Sequence, residues 1–118
     1  MIDHNRQATL QVCGEMDAMS APLLPTVVTR ALPSGVGSVR LDLSRLSFCD
    51  AAGLRAVVEI HDQLGVRRVP LVLVGLRPKT RQLLAITGLD ELLPLDDVLS
   101  VSRLGEVVHG PATVRQIS

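Results

Sequence analysis

The stretch Ser38–Leu64, SVRLDLSRLSFCDAAGLRAVVEIHDQL, decides the fold of this chain. Its first part, Ser38–Ser44, alternates between apolar and polar residues, and a period of two is typical of a strand with one buried face. From Leu54 onward the apolar residues instead follow the period of an amphipathic helix. The stretch therefore predicts a strand that passes through a short turn directly into a helix.

The turn between the two elements, Phe48–Gly53, has the chemistry of a helix start. Asp50 is well placed as the N-cap residue, because its carboxylate can accept hydrogen bonds from backbone N–H groups of the first helical turn. Unpaired N–H groups and the helix dipole also favour a negative group at this point. The turn is therefore the first candidate for a functional site.

Composition restricts the class of protein. The chain has 118 residues, which fits one domain, and 47% of them are hydrophobic, but Phe48 is the only aromatic residue. Twelve acidic and twelve basic residues balance, so no basic excess favours binding to nucleic acid or to a membrane surface. No apolar run approaches the roughly 20 residues of a spanning helix, and the N-terminal residues do not resemble a signal peptide. We therefore expect a cytoplasmic protein.

Strand and helix patterns alternate along the chain. The strand patterns are Ala8–Gly14, Ser38–Ser44, Pro70–Leu76 and Leu92–Leu95. The helices that follow them are expected to begin near Pro22, Asp50, Pro78 and Val98, the last ending near His109. This alternation predicts a single α/β domain over residues 1–110, with a mostly parallel sheet of four or five strands and about four helices. Residues 111–118 are expected to form a flexible tail.

Two acidic residues follow neighbouring strands of this predicted sheet. Asp17 comes after the first strand, and Asp50 comes after the central one. Ligands of parallel sheets usually bind outside the carboxyl ends of the strands. We therefore expect both carboxylates at the same edge of the sheet.

The chain has two cysteines, too few for a disulfide framework or a four-ligand metal site. Cys13 and Cys49 are expected on neighbouring strands, so one hypothesis is a reversible disulfide that acts as a redox switch. The alternative is that both are small buried apolar residues. No cofactor and no metal are expected. The chain also lacks a Gly-x-Ser-x-Gly elbow, a P-loop and a His-Glu-x-x-His motif, so we do not expect an enzyme.

Four motifs, in order and spacing, resemble those of STAS domains, the anti-sigma factor antagonists. They are Gly14–Asp17, Leu41–Ser44 with Phe48–Leu54, Gly75–Leu76, and Thr87–Leu93. The resemblance extends from about Ala8 to Val108 and implies the STAS-type fold, with helices packed mainly on one side of the sheet. It also implies a regulator that docks on an anti-sigma factor, often a Ser/Thr kinase, and thereby releases a sigma factor.

The resemblance further implies a docking surface at the edge that carries the two aspartates. The expected partner-binding residues are Asp17, Asp50, Ala51, Ala52, Gly53, Leu54, Arg55 and Glu59. In the family, phosphorylation of the hydroxyl after the motif aspartate breaks the complex. This chain has Ala51 at that position, so no phosphoacceptor can be assigned. Either the protein is a constitutive antagonist, or its partner is not a kinase.

Two other functions stay open at this stage. Some STAS subunits pair with the ATPase of a lipid-transport complex. A receiver-like domain that accepts a phosphoryl group on Asp50 is a more distant alternative, because Glu15 and Asp17 are not adjacent and Lys79 is the only lysine. Weak association into a homodimer is also left open.

Overall fold

The computed structural model describes residues 6–96 and 110–117. The strands are β1 (Gln7–Met16), β2 (Ser38–Cys49), β3 (Leu71–Val74), β4 (Leu95–Asp96) and β5 (Thr113–Gln116). The α-helices are α1 (Leu24–Ala31), α2 (Ala51–Val66) and α3 (Pro78–Thr87). Short 3₁₀ turns at Ala21–Leu23 and Leu89–Glu91 precede α1 and follow α3. The helix predicted from Val98 to His109 lies outside the described residues.

The five strands form one sheet in the order β4-β3-β2-β1-β5. β1, β2, β3 and β4 pair in parallel, whereas β5 runs antiparallel to β1. Parallel neighbours need crossover connections, and α1, α2 and α3 provide them. The predicted α/β class and the mostly parallel sheet are therefore confirmed.

The flexible tail predicted for residues 111–118 does not hold for Thr113–Gln116. These residues pair with Leu10–Cys13 of β1 and form an edge strand. The segment has only one apolar side chain, Val114, and it is half-buried. A strand this short shows no measurable period, and an edge strand can keep most of its side chains in water. The sequence pattern therefore gave no sign of it.

The core lies between the helices and one face of the sheet. Its buried side chains on β1 and β2 include Ala8, Leu10, Val12, Met16, Val39, Leu41, Leu43 and Leu46. Those from the three helices include Leu24, Val28, Leu54, Val57, Ile60, Leu64 and Leu84. All belong to one cluster, and fully burying a side chain such as Val or Leu stabilises the fold by about 1.5–3 kcal/mol. The core side chains are aliphatic, and the only aromatic residue of the chain, Phe48, is not among them.

β2 extends beyond its neighbour β3. It has 12 residues, but its pairing with β3 runs only from Val39 to Asp42. Two irregularities in its pairing with β1 each place an extra residue in β2, and bulges of this kind increase the local twist. As a result, the last part of β2 projects past the end of β3 at the carboxyl edge of the sheet.

Candidate functional site

The turns that follow β1 and β2 meet at the carboxyl edge of the sheet. Met16, the last residue of β1, pairs with Cys49, the last residue of β2. The backbone N–H of Asp50 donates to the carbonyl of Met16 at 3.3 Å. The structure thus brings together the two turns that carry Asp17 and Asp50.

Asp50 is the N-cap residue of α2. Its backbone is extended, and its Oδ1 accepts a hydrogen bond from the N–H of Gly53 at 3.0 Å. Such a cap typically contributes about 1 kcal/mol to stability. Within residues 6–96 and 110–117, the second carboxylate oxygen, Oδ2, has no hydrogen-bond partner. One oxygen therefore holds the helix start, and the other is available to a partner.

Asp17 closes the turn after β1 in a similar way. Its Oδ1 accepts from the N–H groups of Met19 and Ser20 at 3.0 and 3.1 Å, and from the Ser20 hydroxyl at 3.3 Å. The backbone N–H of Ser20 is the main cause that lowers the pKa of Asp17 below its usual value. Asp17 is therefore ionised at neutral pH and adds a negative charge to this edge.

Gly53 and Leu54 have structural roles. A Cβ atom at Gly53 would collide with the carbonyl oxygen of Met16 and would lie 2.9 Å from its Cγ. Leu54 is completely buried in the core. Both were expected to contact a partner, but the side chain of Leu54 is not accessible and Gly53 is needed for close packing of α2 on β1.

The remaining predicted residues lie at the surface. Ala51, Arg55 and Glu59 are exposed at successive turns of α2, and Ala52 is half-buried beside them. We call this surface the rim: Asp17, Asp50, Ala51, Ala52, Arg55 and Glu59. The rim contains the carboxylates of Asp17 and Asp50 and the exposed start of α2.

The register of β1 and β2 separates the two cysteines. Cys13 pairs with Arg45, whereas Cys49 pairs with Met16, three residues further along β1. At about 3.3 Å per strand residue, the two Cα atoms are offset by roughly 10 Å along the strands alone, whereas a disulfide needs a Cα–Cα distance below about 7 Å. Burial, with a smaller effect from the charge of Asp50, also raises the pKa of the Cys49 thiol to about 12. This arrangement contradicts a direct disulfide switch.

Two clefts lie near the rim, one at Asp17 and one at Cys49, and neither was predicted from the sequence. One, of about 560 Å³, has a wall that includes Glu15, Asp17, Met19, Leu23, Val27 and Pro111. The other, of about 520 Å³, lies between the end of β2 and the start of α3. Phe48 lines this second cleft and is 50% exposed. The signal in the sequence was Phe48 itself, because it directly precedes Cys49 and Asp50 and is the only aromatic residue of the chain.

The part of the chain that the structure describes has neither a metal-binding cluster nor a membrane-spanning helix. No group of three or more His, Cys, Asp or Glu side chains there could hold a metal ion. Nor does any described helix have the length and apolar character needed to span a bilayer.

Comparisons with known proteins point to one family. A family model described as "Mlab, STAS domain" matches residues 1–94. The anti-sigma-B factor antagonist of Listeria monocytogenes is 33% identical over 88 residues, which cover 74% of this chain and 76% of that protein.

Solved structures agree on the architecture. An anti-sigma factor antagonist from Mycobacterium paratuberculosis has a TM-score of 0.68 and 29% identity, with 82% of each chain covered. A sulfate transporter family protein from Wolinella succinogenes has a TM-score of 0.65 at 19% identity, over 83% of this chain and 82% of its own. At that identity the second likeness concerns the fold alone.

Proposed function

Because this chain belongs to the STAS domain family, we propose that it is an anti-sigma factor antagonist that docks on an anti-sigma factor through the rim. Docking releases the sigma factor that the anti-sigma factor would otherwise hold. In this proposal the protein acts by binding and not by catalysis. The names of the relatives support the role, and the geometry of the rim supports the location.

The observation that carries the proposal is the exposure of Ala51 beside the free oxygen of Asp50. Ala51 is the first residue of α2 and directly follows the cap residue. A partner that covers Ala51 must therefore also approach the Asp50 carboxylate. The methyl side chain of Ala51 fits into a closely packed interface, whereas a charged group there would have to lose its hydration.

Ala51 also removes the switch used elsewhere in the family. A phosphate would add about 1.5 to 2 negative charges next to Asp50 and would oppose docking. Alanine cannot accept a phosphate, so docking at this position is not reversed by a kinase. The same property fits a constitutive antagonist and an antagonist whose partner is not a kinase.

The test is the affinity of the purified protein for each anti-sigma factor encoded in its source genome, measured by calorimetry. Wild type and Ala51→Ser are expected to bind one of them with similar affinity, and Ala51→Glu to bind it at least about a hundredfold more weakly. A glutamate at the first position of a helix suits the helix dipole, so the fold is retained. Val66→Glu adds the same charge at the last residue of α2, where the side chain is exposed and lies outside the rim, and is the matched control.

Three outcomes would contradict the proposal. The first is equal binding by wild type and Ala51→Glu, which places the interface elsewhere. The second is binding to the ATPase of a transport complex instead of an anti-sigma factor. The third is labelling of Asp50 by acetyl phosphate in the presence of Mg²⁺, which indicates a receiver-like activity.

A further inference from the structure

The cleft between β2 and α3 follows from the unequal lengths of two strands. β2 continues to Cys49, although its last residue paired with β3 is Asp42. After β3 the chain turns away at Gly75, whose φ of +69° suits glycine, and α3 begins at Pro78. Arg77 Nη1 donates to the Ser44 carbonyl at 3.2 Å and thereby holds the start of α3 against β2. The projecting end of β2 is left facing the first turn of α3.

The charge of this cleft is positive. Arg77 and Lys79 both line it and are exposed, and none of the described residues that line it is acidic. α3 has neither a side-chain cap nor an acidic residue in its first turn, in contrast to α2, which Asp50 caps. The positive end of the α3 dipole therefore adds to the charge of the two side chains.

The cleft also offers an apolar surface. Half of Phe48 is accessible, which is unusual for the only aromatic residue of a chain with an aliphatic core.

We propose that this cleft is a second docking subsite, which takes an acidic segment of the anti-sigma factor that binds the rim. The inference rests on the proposed function and extends it. Carboxylates of the partner bind Lys79 and Arg77, and an apolar side chain next to them packs on Phe48. Cys49, which lines the cleft, is followed directly by Asp50, so the subsite and the rim form one continuous surface.

The two halves of this surface have opposite net charges. In the rim, Asp17, Asp50 and Glu59 outnumber Arg55, whereas Arg77 and Lys79 follow β3 on the other side of β2. A partner must therefore present basic groups to one side and acidic groups to the other. Such a pattern fixes the orientation of the complex and disfavours partners of uniform charge.

The test compares Lys79→Glu with Arg67→Glu in calorimetric titrations against the anti-sigma factor that wild type binds. Lys79 lines the cleft, whereas Arg67 is also an exposed cation but lies at the far end of α2. We expect Lys79→Glu to weaken binding by about tenfold or more and to reduce its salt dependence, with Arg67→Glu close to wild type. Phe48→Ala should weaken binding by roughly five- to tenfold, with little dependence on salt.

Each other outcome would overturn the inference. If Lys79→Glu binds like wild type while Ala51→Glu does not, the rim is the whole interface and the proposed function stands. If inorganic phosphate shifts the Lys79 and Thr80 amide resonances and Lys79→Glu leaves partner affinity unchanged, the cleft is a small-anion site. If Lys79→Glu changes only the oligomeric state, the occupant is a second copy of the chain. If no anti-sigma factor binds wild type, the proposed function fails as well.

Discussion

Gly53 packs so closely against Met16 that there is no room for a side chain at this position. An added Cβ atom would lie 2.9 Å from Met16 Cγ and closer still to the Met16 carbonyl oxygen. This contact joins the end of β1 to the first turn of α2. It therefore sets the distance between the two turns that form the rim.

Replacing Gly53 with alanine should destabilise the protein. The added methyl group forces α2 away from β1, and overpacking of this kind costs about 1–3 kcal/mol. The free energy of unfolding in urea measures the effect. Gly65→Ala is the control, because that helical position has open space around it and alanine there should stabilise the protein by roughly 0.5–1 kcal/mol. Equal stability of Gly53→Ala and wild type would show that the contact does not position α2.

Substitutions at Asp50 should separate its two roles. Asp50→Asn keeps an oxygen that can accept from the Gly53 N–H, so stability should change little, whereas Asp50→Ala should lose about 1 kcal/mol. Both remove the charge, and we expect both to weaken binding to the anti-sigma factor. Urea unfolding and calorimetry on the same samples test this. A loss of affinity in Asp50→Ala no larger than its loss of stability would indicate a purely structural residue.

The turn at Asp17 predicts a specific pH dependence. Its pKa is lowered in the folded state, mainly by the Ser20 N–H, so its stabilising contribution is complete above the usual pKa near 3.8. That contribution is lost as the pH falls through the lower, folded-state pKa. The advantage of wild type over Asp17→Asn in urea unfolding should therefore be constant at neutral pH and should shrink in acid. An NMR titration of the Asp17 carboxyl carbon at or above 3.8 would contradict this.

The two cysteines should not form a disulfide in the folded protein. Their positions in the β1–β2 register are too far apart, and the raised pKa of Cys49 keeps its thiol protonated at pH 8. We expect slow modification of Cys49 by a thiol reagent in buffer and rapid modification of both cysteines in urea. Mass spectrometry after mild oxidation of the native protein should show no loss of two hydrogens. Such a loss, with the fold intact, would restore the redox hypothesis.

The central part of the fold is predictable from sequence because two long, regular patterns meet there. The alternation in β2 and the period of α2 leave one position, Asp50, for the cap, and the structure places it there. The short edge strand β5 has four residues and one apolar side chain, too little for any pattern. Local sequence therefore predicts long elements and misses those held by pairing alone.

The site is only partly predictable, because its shape depends on register. Neighbouring strands suggested that Cys13 and Cys49 could meet, but only the register shows that they do not. The cleft at Phe48 exists because β2 extends past β3, a relation between two strands that neither sequence pattern contains. The exposed residues of the rim could be predicted from the sequence. Leu54 and Gly53 were predicted as partner contacts along with them, because the sequence did not show that Leu54 is buried there and that Gly53 packs against Met16.

The most direct test of the central claim is the release of a sigma factor. A preformed complex of the anti-sigma factor and its sigma factor is mixed with the purified protein, and free sigma factor is measured by native mass spectrometry. Our account predicts that wild type releases the sigma factor in proportion to its concentration and that Ala51→Glu does not. A sigma factor that stays bound at saturating wild-type protein, or that is released equally well by Ala51→Glu, would contradict it.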